Sequence, residues 1–197
     1  MDREEMEAYL VELDEALVHA FPGPDPVRVM VVGGAFLALT GIINRQTDDV
    51  DVIITDLAGT GEASLVYELT KSTRRFRRLV ETIGKNHGFK GGKRMWFNDD
   101  CALFLQDMGP LPPVRLLRTY QKLHLYGPAD PGYILACKLM AGRANKDYGD
   151  IAALRTRLGI HTRAQAQTLV DQFFPLREKQ RFQELPKTLS DIFGDGE

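Results

Sequence analysis

The chain has 197 residues, a formal net charge of −2, and 44% hydrophobic and 26% charged residues. This length can bury a sizeable core, and the composition excludes an intrinsically disordered chain. No apolar run approaches the roughly 20 residues that a membrane-spanning helix needs, so we expect no membrane partner. Because the acidic N-terminus has the pattern of neither a signal nor a transit peptide, we expect a cytoplasmic protein whose Cys101 and Cys137 are buried, reduced thiols.

The first part of the chain predicts alternating helices and strands. Residues 3–20 place apolar side chains on one helical stripe, and the prolines of 21–26 end that helix. Residues 27–32 predict a short strand that runs into the glycine pair 33–34 and a second, apolar helix. Residues 49–55 (DVDVIIT) are rich in β-branched side chains and predict a second strand.

The rest of the chain is predicted to change from mixed to helical structure. A polar helix is expected over about 62–83 and strands at 101–105 and 119–126. From Pro131 onward the pattern is helical, and further helices are predicted over 147–158, 162–174 (with Thr162 as the N-cap) and 176–193. The sequence therefore predicts an α+β protein with a first domain over 1–129 and a helical region over 130–197 packed on it.

Charge is distributed unevenly along the chain. The acidic segment 1–20 contrasts with the segment 71–94, which is dense in Lys and Arg and has Glu81 as its acidic residue. This basic segment fits either a solvated helix face or a surface for an RNA backbone or a triphosphate. The interleaved aromatic residues fit either stacking on a base or core packing; they are Phe76, Phe89 and Trp96.

Two carboxylates stand at the start of the second predicted strand. Since alternate side chains of a strand share a face, Asp49 and Asp51 are expected to lie side by side and to repel each other unless a cation lies between them. Mg²⁺ is bound by one or two carboxylates together with substrate phosphates, so the pair predicts a magnesium site. The alternative is a solvated turn formed by Asp48 and Asp49. The upstream Gly33-Gly34 favours the metal site, because a glycine turn between a strand and a helix lets a phosphate approach backbone N–H groups.

The segment 31–54, VVGGAFLALTGIINRQTDDVDVII, resembles the signature of the DNA polymerase beta-type nucleotidyltransferase superfamily, in which a glycine turn precedes a D-x-D metal motif. Arg45 and Thr47 form an R-x-T that is similar to the abortive-infection (AbiE-type) toxin nucleotidyltransferases and their uncharacterised relatives. The segments 96–99 (WFND) and 133–151 also resemble that branch.

The resemblance implies a nucleotidyltransferase fold, a small mixed sheet flanked by helices, followed by a helical C-terminal half. It implies transfer of a nucleoside monophosphate from an NTP, with one or two Mg²⁺ ions as cofactor. Asp49 and Asp51 would bind the metal. The nucleotide triphosphate would be bound by Gly33, Gly34, Arg45 and Thr47.

Further site residues come from the same resemblance. Asp99, with Asp100 as its rival, is the candidate third metal-binding carboxylate; the alternative is a loop. Lys138 would neutralise triphosphate charge, or else extend along the protein surface. One of Asp147 and Asp150 would orient Lys138 or the base-binding side; alternatively Asp147 caps its own helix or pairs with a neighbouring basic residue.

Three functions stay open at this point. The first is a toxin-like nucleotidyltransferase that modifies a tRNA, bound through 71–94, or a protein hydroxyl, and that has a cognate antitoxin protein. The second is a catalytically inactive nucleotidyltransferase fold that binds a nucleotide or a protein partner. The third is a nucleotidyltransferase for small molecules of the antibiotic type.

Overall fold

A computed structural model describes residues 1–44, 46–54, 70–89, 96–105 and 108–194. The architecture is α+β with a small mixed sheet of five strands, as the sequence predicts. None of the helices within these ranges combines the length and the apolar character that crossing a membrane requires.

The chain divides into two compact units. The first comprises Met1–Leu103 and Pro113–Gly127, and the second comprises Phe104–Pro112 and Pro128–Glu197. The sequence suggests a single division after residue 129. In the structure the later division falls after Gly127, and the short segment Phe104–Pro112 also belongs to the second, mainly helical unit.

The five-stranded sheet is formed by the chain up to residue 128. The helices and strands of this part of the chain are, in order, α1 (Arg3–Ala20), β1 (Val27–Val31), α2 (Gly33–Leu39), β2 (Val50–Ile54), α3 (Lys71–Asn86), β3 (Phe97–Asn98), α4 (Cys101–Leu105), β4 (Val114–Thr119) and β5 (Leu123–Pro128). The strands lie in the order β3-β2-β1-β5-β4. β1 is antiparallel to β2 and parallel to β5, whereas β2 and β3 are parallel.

The first helix forms as the sequence predicts. Asp2 is its N-cap, and the Asp2 carboxylate accepts the Glu5 N–H at 2.9 Å. A buried stripe that includes Met6, Leu10 and Leu13 faces the core. The helix ends at Ala20, directly before the proline-rich segment.

A carboxylate on α1 determines the turn between β4 and β5. Asp14 is 7% exposed, and its two oxygens accept the backbone N–H groups of Gln121, Lys122 and Leu123 at 3.1, 2.7 and 2.6 Å. Hydrogen bonds to an ionised acceptor are stronger than those between neutral groups. The turn therefore forms without Gly or Pro, and it is fastened to the middle of α1.

α3 packs against α1 through one face and exposes its cations on the other. The buried face carries Thr73, Phe76, Val80, Ile83 and Gly84. Phe76 and Trp96 belong to the core, since they are 1% and 0% exposed, and the Trp96 indole N–H donates to the Val80 carbonyl at 3.1 Å. For these two aromatic residues the structure favours core packing over stacking on a base.

Two strand predictions in this part are wrong. Residues 101–105 form the helix α4, because a short apolar run does not distinguish a strand from a helix and the Asp99 carbonyl starts a helical turn by accepting the Ala102 N–H at 3.1 Å. The single strand expected over 119–126 is a hairpin of β4 and β5, whose turn the long-range bonds to Asp14 stabilise.

The second unit contains the C-terminal helices. They are α5 (Gly132–Ala141), α6 (Ala144–Leu158), α7 (Arg163–Phe173), α8 (Arg177–Phe182) and α9 (Leu185–Phe193). α5 is central, because it packs against α6, α7 and α9. Thr162 is the N-cap of α7, as predicted, and it forms a capping box with Gln165.

The helix predicted over 176–193 is divided into α8 and α9. Pro186 lies in the first turn of α9 and has no N–H to continue a helix, and Glu184 before it adopts a left-handed conformation with φ of 52°. Both cysteines are free thiols. The Cys101 thiol donates to the Val52 carbonyl at 3.0 Å, and burial raises the pKa of the Cys137 thiol to about 12.

We expect Asp14→Ala to lower the free energy of unfolding by about 2 kcal/mol or more, because three backbone N–H groups lose an ionised acceptor. Urea denaturation measures the change. Glu15→Ala is the matched control on the exposed side of α1, and it should stay within about 0.5 kcal/mol of the wild type. Equal losses in the two variants would contradict the role assigned to Asp14.

Candidate functional site

The glycine turn and the carboxylate pair lie at the same edge of the sheet. β1 and β2 are antiparallel with Val31 opposite Val52, so the end of β1 lies beside the start of β2. The Val32 N–H donates to the Asp51 carbonyl at 2.9 Å, and α2 begins at the next residue, Gly33. The two motifs that the sequence analysis joined are therefore neighbours in space.

Gly33 is required where the Asp51 side chain approaches the backbone. Its φ is +60°, a conformation that side chains other than hydrogen disfavour. A Cβ atom at this position would lie 2.3 Å from Oδ2 of Asp51. The Asp51 carboxylate thus lies directly against the first residue of α2.

An asparagine contacts one of the two carboxylates and is the strand neighbour of the other. Asn98 on β3 is the register partner of Asp51 on β2, and such partners place their side chains on the same face of a sheet. The Asn98 side-chain Nδ2 donates to Oδ2 of Asp49 at 3.2 Å. Asp49, Asp51 and Asn98 consequently form one polar group at this edge.

Thr47 supports the loop that leads into β2. It is 7% exposed, its hydroxyl donates to the Asp49 carbonyl at 3.0 Å, and its N–H donates to the Met1 carbonyl at 2.9 Å. These bonds fix the backbone at Asp49. The nucleotide contact expected of Thr47 stays a prediction, and Arg45 lies outside the described residues.

Asp99, the candidate third metal ligand, is engaged by an arginine. Nε of Arg77 on α3 donates to Oδ2 of Asp99 at 3.0 Å, and the Arg77 Nη2 contacts the same oxygen. Asp100 is exposed, and its N–H donates to the Asn98 Oδ1 at 2.9 Å. Across the described ranges, no group of three or more His, Cys, Asp and Glu side chains is arranged to hold a metal ion. The strand position beside Asp51 is occupied by an amide.

The donor set fits one divalent cation better than two. Two carboxylates with phosphate oxygens form an ordinary Mg²⁺ shell, whereas a pair of ions about 3.5–4 Å apart commonly needs a further carboxylate. Asp49 and Asp51 would hold such an ion, and Asn98, which already contacts Asp49, would orient that carboxylate.

A second charged cluster lies between α5 and α6 in the second unit. The ammonium of Lys138, a residue only 6% exposed, lies 2.9 Å from Oδ1 of Asp147 and 2.7 Å from Oδ2 of Asp150. The Arg143 Nε donates to the other Asp147 oxygen at 2.7 Å. The alternative of a lysine extended along the surface is therefore wrong, and both aspartates contact the Lys138 ammonium.

The position of Asp147 in its helix differs from the capping alternative. α6 begins at Ala144 with Arg143 as its N-cap, so Asp147 lies within the helix and is fully buried. Burial alone would raise the pKa of the Asp147 carboxyl. The Arg143 hydrogen bond and the Lys138 charge outweigh burial and hold that pKa below its ordinary value.

Comparison of the chain with protein-family models, curated proteins and solved structures found no match.

Asn98 belongs to the site but is not among the site residues expected from the sequence, although it lies within the WFND segment. The signal that could have indicated it is its position directly before Asp99 in a short strand.

We expect Gly33→Ala to destabilise the first unit more than Gly41→Ala does. Both glycines have a positive φ, +60° and +69°, so both variants carry a backbone penalty of about 1 kcal/mol. Only at Gly33 does the added methyl collide with Asp51, since no atom lies within 4 Å of a Cβ at Gly41. Urea denaturation of the two variants measures the difference. An equal loss would show that Asp51 does not lie against Gly33.

The buried pair of Lys138 and Asp147 gives a prediction for pH. Because the folded-state pKa of Asp147 is lowered, its contribution to stability is complete above the ordinary value of 3.8 and is lost as the pH falls through the lower folded-state value. We expect the stability difference between the wild type and Asp147→Asn to be largest near neutral pH and to shrink below pH 3.8. Urea denaturation between neutral pH and about pH 3 tests this. A difference that is constant with pH would contradict it.

Proposed function

We propose that the chain is a Mg²⁺-dependent nucleotidyltransferase that moves a nucleoside monophosphate from an NTP to an acceptor hydroxyl, with pyrophosphate leaving. The observation that carries the proposal is the contact between the Asp51 carboxylate and the Gly33 turn. It joins a carboxylate pair suited to a cation with a backbone turn suited to a phosphate.

Each residue of the site has a proposed task. Asp49 and Asp51 hold the ion, which offsets negative charge that develops on the phosphates. Gly33 and Gly34 let the triphosphate approach the backbone, and Arg45 and Thr47 complete the nucleotide site. Lys138 belongs to the second unit, where its buried ammonium is paired with Asp147 and Asp150, so the triphosphate role that the resemblance implies for it is not part of the proposed site.

The proposed acceptor is an RNA, namely a tRNA. The alternative acceptor is a protein hydroxyl. The outer face of α3 supports a polyanion, because Lys71, Arg74, Arg75 and Arg78 are all exposed. Residues 90–94 of the predicted basic segment lie outside the described ranges. A toxin-like role with a cognate antitoxin protein, in the cytoplasm, completes the proposal.

A second candidate function is a nucleotide- or partner-binding module without catalysis. The amide of Asn98 favours it, because Asn98 occupies the strand position beside Asp51 where a third carboxylate would complete a two-ion site. Arg77 at the same time neutralises the neighbouring Asp99.

The decisive experiment incubates the protein with Mg²⁺, NTPs labelled at the α-phosphate, and total RNA. We expect label transfer that Asp51→Asn lowers on the order of 100-fold or more, because it removes a metal-binding charge. Asp48→Asn is the matched control, with the same chemical change on an exposed neighbour, and it should keep nearly full activity.

The two functions give different results in this experiment. The absence of label on RNA and on protein with the wild type would refute transfer to these acceptors. Mg²⁺-independent NTP binding that persists in Asp51→Asn would then support the binding module.

A further inference from the structure

A pocket with cationic walls lies in the first unit, away from the carboxylate edge. Its volume is about 350 Å³, and it lies among the end of α1, the segment before β1, the first turn of α3 and the turn between β4 and β5. Val27, at the start of β1, lines it, whereas Gly33 follows the end of β1. β1, which separates the two places, is about 13 Å long at 3.3 Å per residue. The pocket therefore lies apart from the proposed metal and triphosphate site, while Lys71 and Arg75 also belong to the exposed α3 face proposed for RNA.

A buried lysine forms one wall of this pocket. Lys122 is 6% exposed, and its ammonium donates to the Gly23 carbonyl at 2.9 Å. A neutral carbonyl satisfies one N–H of the ammonium but does not neutralise its charge. Within the described part of the chain, no carboxylate forms an ion pair with this ammonium. Buried charges are normally paired, so an anionic partner is the expected complement.

The first turn of α3 forms the facing wall. Thr70 caps this helix, and its side chain and carbonyl accept the N–H groups of Thr73 and Arg74. The N–H groups of Lys71 and Ser72, which both line the pocket, have no partner within the helix. These N–H groups carry the partial positive charge of the helix start.

Two cations stand at this helix start in place of the acidic residues that ordinarily stabilise one. The first turn of α3 contains no acidic residue, while Lys71 and Arg75 line the pocket. The Arg75 guanidinium lies 5.6 Å from the centre of the Phe21 ring, which also lines the pocket. This ring orients the guanidinium at the wall.

The charge balance of the pocket defines the ligand. Lys71, Arg75 and Lys122 give three positive charges and Asp25 gives one negative charge, which leaves an excess of two positive charges. We propose that the Lys122 pocket binds a phosphate group carried as a phosphate monoester or as free inorganic phosphate. The volume lies at the lower end of the range of small-molecule sites, about 300–1,000 Å³, which suits a single phosphate and a small attached group. This inference does not depend on the proposed transferase activity.

Calorimetric titration with inorganic phosphate, without Mg²⁺ and at low ionic strength, tests the proposal. Arg75→Gln and Arg78→Gln form a matched pair, since both remove one exposed cation from α3 and only Arg75 lines the pocket. We expect saturable binding to the wild type that Arg75→Gln weakens about 10-fold or more and Arg78→Gln changes less than about twofold. Lys122→Met is the second pocket variant, and we expect it to abolish binding of inorganic phosphate. Circular dichroism checks that this variant is folded.

A short oligoribonucleotide in 5′-phosphorylated and 5′-hydroxyl forms distinguishes the sources of the phosphate. Tighter binding of the phosphorylated form, lost in Arg75→Gln, supports the pocket with a nucleic-acid end as its ligand. Equal binding of the two forms, with inorganic phosphate bound as above, supports the pocket with a free anion as its ligand.

Three results would overturn the proposal: no saturable binding of phosphate, equal weakening by Arg75→Gln and Arg78→Gln, or tighter binding by Asp51→Asn, because removal of a negative charge strengthens an anion site that lies beside it. The first two would leave the transferase proposal intact. The third would place phosphate at the carboxylate edge instead.

Discussion

The three hydrogen bonds from the Asp14 carboxylate to the turn of residues 121–123 connect the main parts of the first unit. Through them α1 is fastened to the β4–β5 hairpin, and β5 is the parallel neighbour of β1, the strand that leads into Gly33. α1 also packs against α3, whose Arg77 engages Asp99. The acidic first helix is therefore a structural support for the sheet as well as a charged surface.

Local sequence signals predicted the elements whose causes are local. The prolines after α1, the glycines after β1 and the N-cap Thr162 act within a few residues, and they lie where the sequence places them. The hairpin turn and the helix α4 were mispredicted. The hairpin turn depends on Asp14, which is distant in the chain. The α4 segment is a short apolar run that fits a strand and a helix equally well.

The candidate site shows the same division. The proximity of the glycine turn to Asp51 could be predicted, because one strand ends where its neighbour begins. The partner of each carboxylate could not, since it depends on strand register. A shift of one residue in β3 would exchange the faces of Asn98 and Asp99, and the observed register places Asn98 beside Asp51. The structure thus decides between an amide and a carboxylate at a position where the sequence offers both.

Trp96 is the single tryptophan of the chain, and it lies directly before β3. Its carbonyl accepts the N–H of Val50, the residue between Asp49 and Asp51, at 2.7 Å. Its indole is fully buried and donates a hydrogen bond to the Val80 carbonyl on α3. Any rearrangement of the carboxylate edge that separates β3 from β2 must move this indole or its surroundings. The intrinsic fluorescence of the protein is consequently a built-in optical reporter of that edge, which follows ligand-induced changes without an attached label.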